Sequence, residues 1–274
     1  MGNLTGTLRL SLENRDMQTV MRESYASGAF KISPPTHIDE SGQKLLYLMN
    51  PGGGYVDGDQ YAMDVTLDAG AELILTTQSA TKVYRTPTGS VCSDTKVKLA
   101  GGALLEMLPD PIIAYEDARY FQKTVFHLEE GAHLIAADSW TPGWSPSGDH
   151  FRYRRIDSLT ELYMGGRLQM VDRFCLEPAD EQFGFGEMEG YTHYGSLLVV
   201  HEQATPEAVE LLYEQLEESF SEGCPRFGLT VLAVPGFVMR VMAYSTEEIQ
   251  QLMEACHDRV RQEWLCKPVL RIRK

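Results

Sequence analysis

Residues 62–77, AMDVTLDAGAELILTT, set one strand-like alternation before a short glycine turn and a second one after it. Met63, Val65 and Leu67 share one face and Asp64 and Thr66 the other, the two-residue period of a half-buried strand. The turn at its centre, Leu67-x-x-Gly70-x-x-Leu73, recurs as Leu99-x-x-Gly102-x-x-Leu105, Leu128-x-x-Gly131-x-x-Leu134 and Leu162-x-x-Gly165-x-x-Leu168. The four starts lie 32, 29 and 34 residues apart. Each unit therefore reads as strand, glycine turn, strand, and each needs its neighbours to bury its apolar face. The fold expected is mainly β, with stacked β-layers or a β-solenoid-like repeat body over residues 1–200. A large sandwich whose hairpins share turn chemistry is the alternative, because turn residues recur for local reasons.

The repeat also places polar side chains. Four residues beyond the last leucine of each frame stand Thr77, Pro109, Asp138 and Asp172. If the frames stack in register, Asp138 and Asp172 occupy equivalent positions in successive layers, on the face that carries the leucines. Carboxylates inside an apolar layer are costly unless paired, hydrated or bound to metal, so the pair suggests a hydrated acidic passage. Strands that end before these positions, leaving both acids in solvent, account for the spacing equally well.

The pattern changes near His201. Thr205-Pro206-Glu207 reads as a cap with proline at the first helical position, opening a helix to about Phe220. Two strands, 229–234 and 237–244, flank Pro235-Gly236, and Ser245-Thr-Glu-Glu248 is a capping box for a last helix ending near Cys266. Residues 201–274 are expected to form an α+β unit with two helices, packed on the body as part of one integrated domain. The stretch 141–149 reads as a loop within the body.

Upstream, residues 51–85 carry Gly52-Gly53-Gly54, then Asp57-Gly58-Asp59, and end in TTQSATKVYR. The glycines permit positive φ and close backbone approach, and the DGD turn leaves two carboxylates at a strand entrance. No phosphate-loop or dinucleotide fingerprint is present, so a nucleotide site is not expected here. This segment, with Lys82 in QSATK and the stretch Glu189-Gly190-Tyr191-Thr192-His193-Tyr194, resembles the urease accessory proteins called UreD (UreH in some organisms). The likeness runs the whole length of the chain. It implies a non-enzymatic nickel-insertion chaperone that works with UreF and the GTPase UreG on urease apoprotein, with Ni²⁺ in transit and no stably bound cofactor. In that family polar and acidic residues line an internal channel. Carried over, the lining would comprise Asp59, Thr81, Asp138 and Asp172, with Glu116 as a looser match. His193, between two tyrosines, would be structural or interface-forming.

Composition sets limits on the alternatives. The 274 residues can bury a substantial core, and the charge sum, 24 − 39 = −15, repels nucleic acid and anionic membrane while favouring cations and basic partners. No secretory signal or membrane-length apolar run is visible, and Cys92, Cys175, Cys224, Cys256 and Cys266 form no C-x-x-C, which points to reduced thiols and the cytoplasm. Oxygen ligands suit transient passage of a borderline divalent ion. The seven histidines form no H-x-H or H-E-x-x-H pair, and His127 and His133 read as a surface pair across one turn. No G-x-S-x-G elbow is present, so a β-solenoid hydrolase is a remote reading, and a scaffold without a metal path is the nearer one.

Overall fold

The computed structural model describes residues 4–38, 41–178, 188–220 and 225–272. Two β-sheets face one another. The first is seven-stranded and runs, edge to edge, β15 (Arg167–Leu176), β14 (Arg155–Met164), β12 (Arg119–Leu128), β9 (Val91–Leu99), β6 (Gln60–Leu67), β1 (Gly6–Arg15) and β2 (Gln18–Gly28). The second runs β17 (Arg226–Val231), β18 (Gly236–Ala243), β16 (His193–Val200), β13 (His133–Trp140), β10 (Leu104–Leu108), β7 (Glu72–Thr77), β5 (Lys44–Met49) and β3 (Lys31–Ile32). Three short strands, β4 (Thr36–His37), β8 (Thr81–Val83) and β11 (Ile112–Ala114), pair off this path.

The glycine frames explain the architecture. In each of the first three, the turn carries the chain from the first sheet across to the second rather than back beside itself. β6, β9 and β12 consequently pair in parallel with Leu67, Leu99 and Leu128 in one row. β7, β10 and β13 do the same with Leu73, Leu105 and Leu134. Gly70, Gly102 and Gly131 all hold φ between 69° and 77°, which a Cβ would resist. The alanines that follow them, Ala71, Ala103 and Ala132, are buried where the chain crosses between sheets. The result is a stacked, β-solenoid-like body.

The fourth frame departs from expectation. Gly165 and Gly166 both have positive φ, the condition for a tight primed hairpin turn, and β15 folds back antiparallel on β14 within the first sheet. A glycine replaces the buried alanine at the fifth frame position, so the crossing is not made. Register slips as well: Leu128 faces Met164, not Leu162. Asp172 therefore lies on the first sheet and Asp138 on the second, and the two are not successive layers of one column.

The C-terminal strands continue the second sheet, since β16 pairs with β13 on one side and β18 on the other. Helix α1 (Pro206–Ser219) starts at the Thr205 cap with proline in its first turn, and α2 (Thr246–Arg259) starts at the Ser245/Glu248 capping box. Val209, Leu212 and Leu216 from α1 and Ile249, Leu252 and Cys256 from α2 fall at helical spacing. They cover the outer face of the second sheet against Leu197, Val199, Phe237, Met239 and Val241. Beneath α2, buried Glu106 is ion-paired with buried Arg261 and lies 2.6 Å from both His257 and Gln43. These partners hold its carboxyl down at about 2 despite burial. The main core lies between the sheets. Cys92, Cys175, Cys256 and Cys266 are free thiols, and Cys224 lies outside the described residues. Among the described residues no helix is long and apolar enough to cross a membrane.

Candidate functional site

The inner face of the first sheet is not apolar throughout. Two adjacent cross-strand rows carry polar side chains: Ser93–Gln122–Ser158, and Thr95–Thr124–Thr160 running on to Asp172. Residues directly opposite on neighbouring strands share a face, so both rows point into the space between the sheets. Here the sheets enclose a cavity of about 130 Å³, lined by Ser93, Thr95, Gln122, Thr124, Thr160 and Ser196, with Asp138 reaching in from the second sheet.

Asp138 accepts hydrogen bonds from Gln122 Nε2 at 3.0 Å and Ser158 Oγ at 3.2 Å, so its carboxylate spans the gap between sheets. Its remaining accessible surface faces the cavity. Burial pushes its carboxyl up to about 7, against the pull of Ser158, Gln122 and the Ser139 backbone, and the charge of Asp172 adds to the rise. A carboxyl poised there changes charge near neutrality, and a cation beside it favours the ionised form.

One end of the cavity leads outward. A second hollow, walled by Asn50, Gly53, Gly54 and Gln78–Lys82, shares Phe30, Leu48, Tyr55, Thr77 and Thr81 with it. The glycines build this mouth. Gly54 has φ of 152°, and a Cβ on it would stand 2.6 Å from the Lys82 carbonyl oxygen, which accepts from the Tyr55 N–H at 2.8 Å. The Gly-rich loop thus seats the β8 edge, and Thr81 sits where mouth and cavity meet. On another side, Pro109, Asp110 and Ala137 line both the cavity and an outer groove of about 560 Å³ beneath α2 and the C-terminal segment. Asp110 accepts from Thr77 Oγ1 at 2.9 Å.

The remaining expected residues fall elsewhere. Asp59 is buried but lines neither hollow; its carboxylate accepts from the Val56 N–H, the Tyr61 hydroxyl and the Thr5 hydroxyl, which closes the DGD turn. Its neighbour Asp57 accepts from the Thr88 hydroxyl and from the Thr88 and Gly89 N–H groups, and these bonds, the hydroxyl's first, lower its carboxyl. Tyr61 stacks on Tyr55 at 3.9 Å, and Tyr55 lies 6.2 Å from Tyr120, whose hydroxyl donates to Gln122. Aromatic rings, not acids, therefore connect Asp59 to Asp138. Glu116 pairs with Arg152 near the surface, away from the cavity. Gly52, Gly53 and Gly58 shape the turns, and Lys82 is exposed.

The 189–194 stretch organises the start of β16. Glu189 and Gly190 take positive φ, Glu189 pairs with Arg226, and Tyr191 packs on Tyr244 at 4.8 Å. His193 Nδ1 lies 2.8 Å from Thr192 Oγ1, and burial lowers its pKa. Tyr194 turns inward and stacks on Phe174 at 4.2 Å. His127 and His133 do not pair with each other: the first stacks on Tyr163, and the second packs tilted against His201.

Sequence reading missed Thr95, Thr124, Gln122 and Asp110. A signal for the threonines was present: they stand four residues before the first leucine of the second and third frames, mirroring Asp138 four residues after the last leucine of the third. Among the described residues no cluster of three or more His, Cys, Asp or Glu side chains could hold a metal ion.

Comparison with known proteins gives one consistent result. A family model described as UreD urease accessory protein matches residues 4–274. A protein from Lachnoclostridium phytofermentans called urease accessory protein UreD is 42% identical over 265 residues, covering 96% of each chain. Proteins of the same name from Bacillus sp. strain TB-90 and Bacillus cereus are 39% and 35% identical, covering 96% and 98% of each chain.

Proposed function

The chain belongs to the UreD family of urease accessory proteins, and on that premise we propose that nickel reaches the urease apoprotein through its interior. In this reading it acts in the cytoplasm in a complex with UreF and the GTPase UreG. GTP hydrolysis belongs to UreG, and this chain performs no chemistry of its own. Ni²⁺ is cargo, held in passing by oxygen atoms that exchange readily. It enters past the Gly53–Gly54 and Thr81 mouth, or by way of Asp110, and moves among the hydroxyls of Thr95, Thr124, Thr160 and Ser196. Asp138 supplies the charge.

The observation that carries this reading is Asp138: a carboxylate facing a cavity deep between two sheets, among hydroxyl groups. Such a side chain lowers stability when ionised, which a purely structural core would avoid. A scaffold that merely bridges urease to its other accessory proteins is the second reading. It draws support from Asp59 and Glu116, which serve a turn and a surface ion pair. The deciding experiment reconstitutes urease activation with Asp138→Leu and with Asp172→Glu. Conduction requires that the first assemble normally yet deliver little nickel, and that the second, which keeps the charge, deliver nearly as the wild type does. Full delivery by Asp138→Leu would favour the scaffold.

A further inference from the structure

The polar rows continue beyond the cavity to the open edge of the two sheets. On the first sheet the row Thr124–Thr160 continues to Asp172 on the edge strand β15. On the second, the facing row runs from Asp138 through Ser196 to Arg240 on β18. The rows meet where Arg240 Nη2 stands 2.6 Å from Asp172 Oδ1. Next to Arg240, on the edge strand β17, the directly opposite residue is Gly228. A Cβ there would meet nothing within 4 Å, so open space lies beside the guanidinium on its own face of the sheet.

We propose that Arg240 is a tethered counter-cation that closes this end of the corridor and is displaced by a divalent ion arriving from Asp138. The inference rests on the conduit reading and adds to it the residue that gates the exit. With no ion present, the charge of Asp172 opposes the ionisation of Asp138. A permanently charged, planar guanidinium beside Asp172 offsets that charge. Tyr194, stacked on Phe174, stands beside Arg240 and steadies it. A compact divalent ion carries twice the charge and outcompetes the guanidinium for Asp172, while the space over Gly228 receives the displaced side chain. Arg240 is thus a positioning residue: it touches the carboxylate that the ion needs and withholds it until the ion arrives.

Two measurements on the full-length chain test the proposal. The first is Ni²⁺ binding by calorimetry. Arg240→Gln should bind Ni²⁺ about tenfold more tightly than the wild type, since one competing positive charge is gone. Adding Asp172→Asn should abolish the gain, and Arg240→Lys should stay near the wild-type affinity. The second is the rate of nickel delivery in the reconstituted complex. Gly228→Leu, which fills the space without touching Asp172, should lengthen its half-time severalfold with assembly unchanged. Unchanged affinity in Arg240→Gln, or a gain that survives Asp172→Asn, overturns the gate. If Asp138→Leu blocks delivery while Arg240→Gln binds as wild type does, the gate falls and the conduit stands. Normal delivery by Asp138→Leu removes both.

Discussion

Replacing Asp138 with asparagine isolates the cost of the charge that the conduit needs. The amide keeps an acceptor for Gln122 and Ser158 and removes only the titration. In the folded wild type the carboxyl is held at about 7, against about 4 in an unfolded chain. A raised carboxyl means the native state keeps a proton that the unfolded chain has already released. Native stability therefore falls as pH rises from about 4 and levels off above about 7. At about 1.4 kcal/mol per pH unit, wild type should lose about 3 kcal/mol relative to Asp138→Asn between about pH 5 and about pH 8. Urea unfolding of both proteins at the two pH values measures this directly, because every other titrating group cancels in the difference. Saturating Ni²⁺ should shrink the gap at alkaline pH by stabilising the ionised wild type alone. Parallel pH profiles for the two proteins would refute the placement of an ionisable, cavity-facing carboxylate at this position.

Three further outcomes are expected from the fold. Glu106→Ala strands Arg261 beneath α2 and should cost about 3–5 kcal/mol in urea unfolding; a loss below about 1 kcal/mol would mean that the buried pair is dispensable. Gly54→Ala, with its Cβ driven into the Lys82 carbonyl, should cost about 2–4 kcal/mol, whereas Gly53→Ala, which meets nothing within 4 Å, should cost about 1 kcal/mol; equal thermal shifts would contradict the close approach. His201, its ring 4.3 Å from that of His133 and tilted against it, is held by burial and that neighbour at about 4. Its contribution is present above about pH 6.5 and lost as pH falls toward about 4, so His201→Gln should flatten the acid limb of stability by up to about 3 kcal/mol, and an unchanged limb would place the titration elsewhere.

How much of this was legible in the sequence depended on the range of the interaction. The first three frames were readable because a leucine–glycine–leucine turn is a local device, and both helix starts were readable because caps are local too. The fourth frame misled because its leucines and first glycine match while one position, Gly166 in place of a buried alanine, decides between crossing to the facing sheet and turning back. Strand period offered Asp138 an inward place but left a solvent-facing one equally open, because it does not say where the strand ends. Asp172 also points inward, opposite Thr160, but its partner is Arg240, 68 residues away, and no pattern within either strand announces that pairing. Asp59 was named for the channel lining by the family resemblance alone, since a DGD turn reads the same whether its carboxylate faces an ion or the hydroxyls of Tyr61 and Thr5. The threonine row was missed because single threonines are ordinary in strands and acquire meaning only when register stacks them.

Ions that pass between the sheets need open space there, so bulk placed in the passage probes conduction apart from charge. Thr160→Leu fills the cavity wall with an apolar side chain while every acid stays in place. The measurement is the nickel content of urease after incubation of apoprotein with the reconstituted accessory complex carrying this variant, with complex assembly verified alongside. The complex should be intact and the nickel content well below that delivered by the wild type. Wild-type nickel content from an intact Thr160→Leu complex would contradict conduction between the sheets.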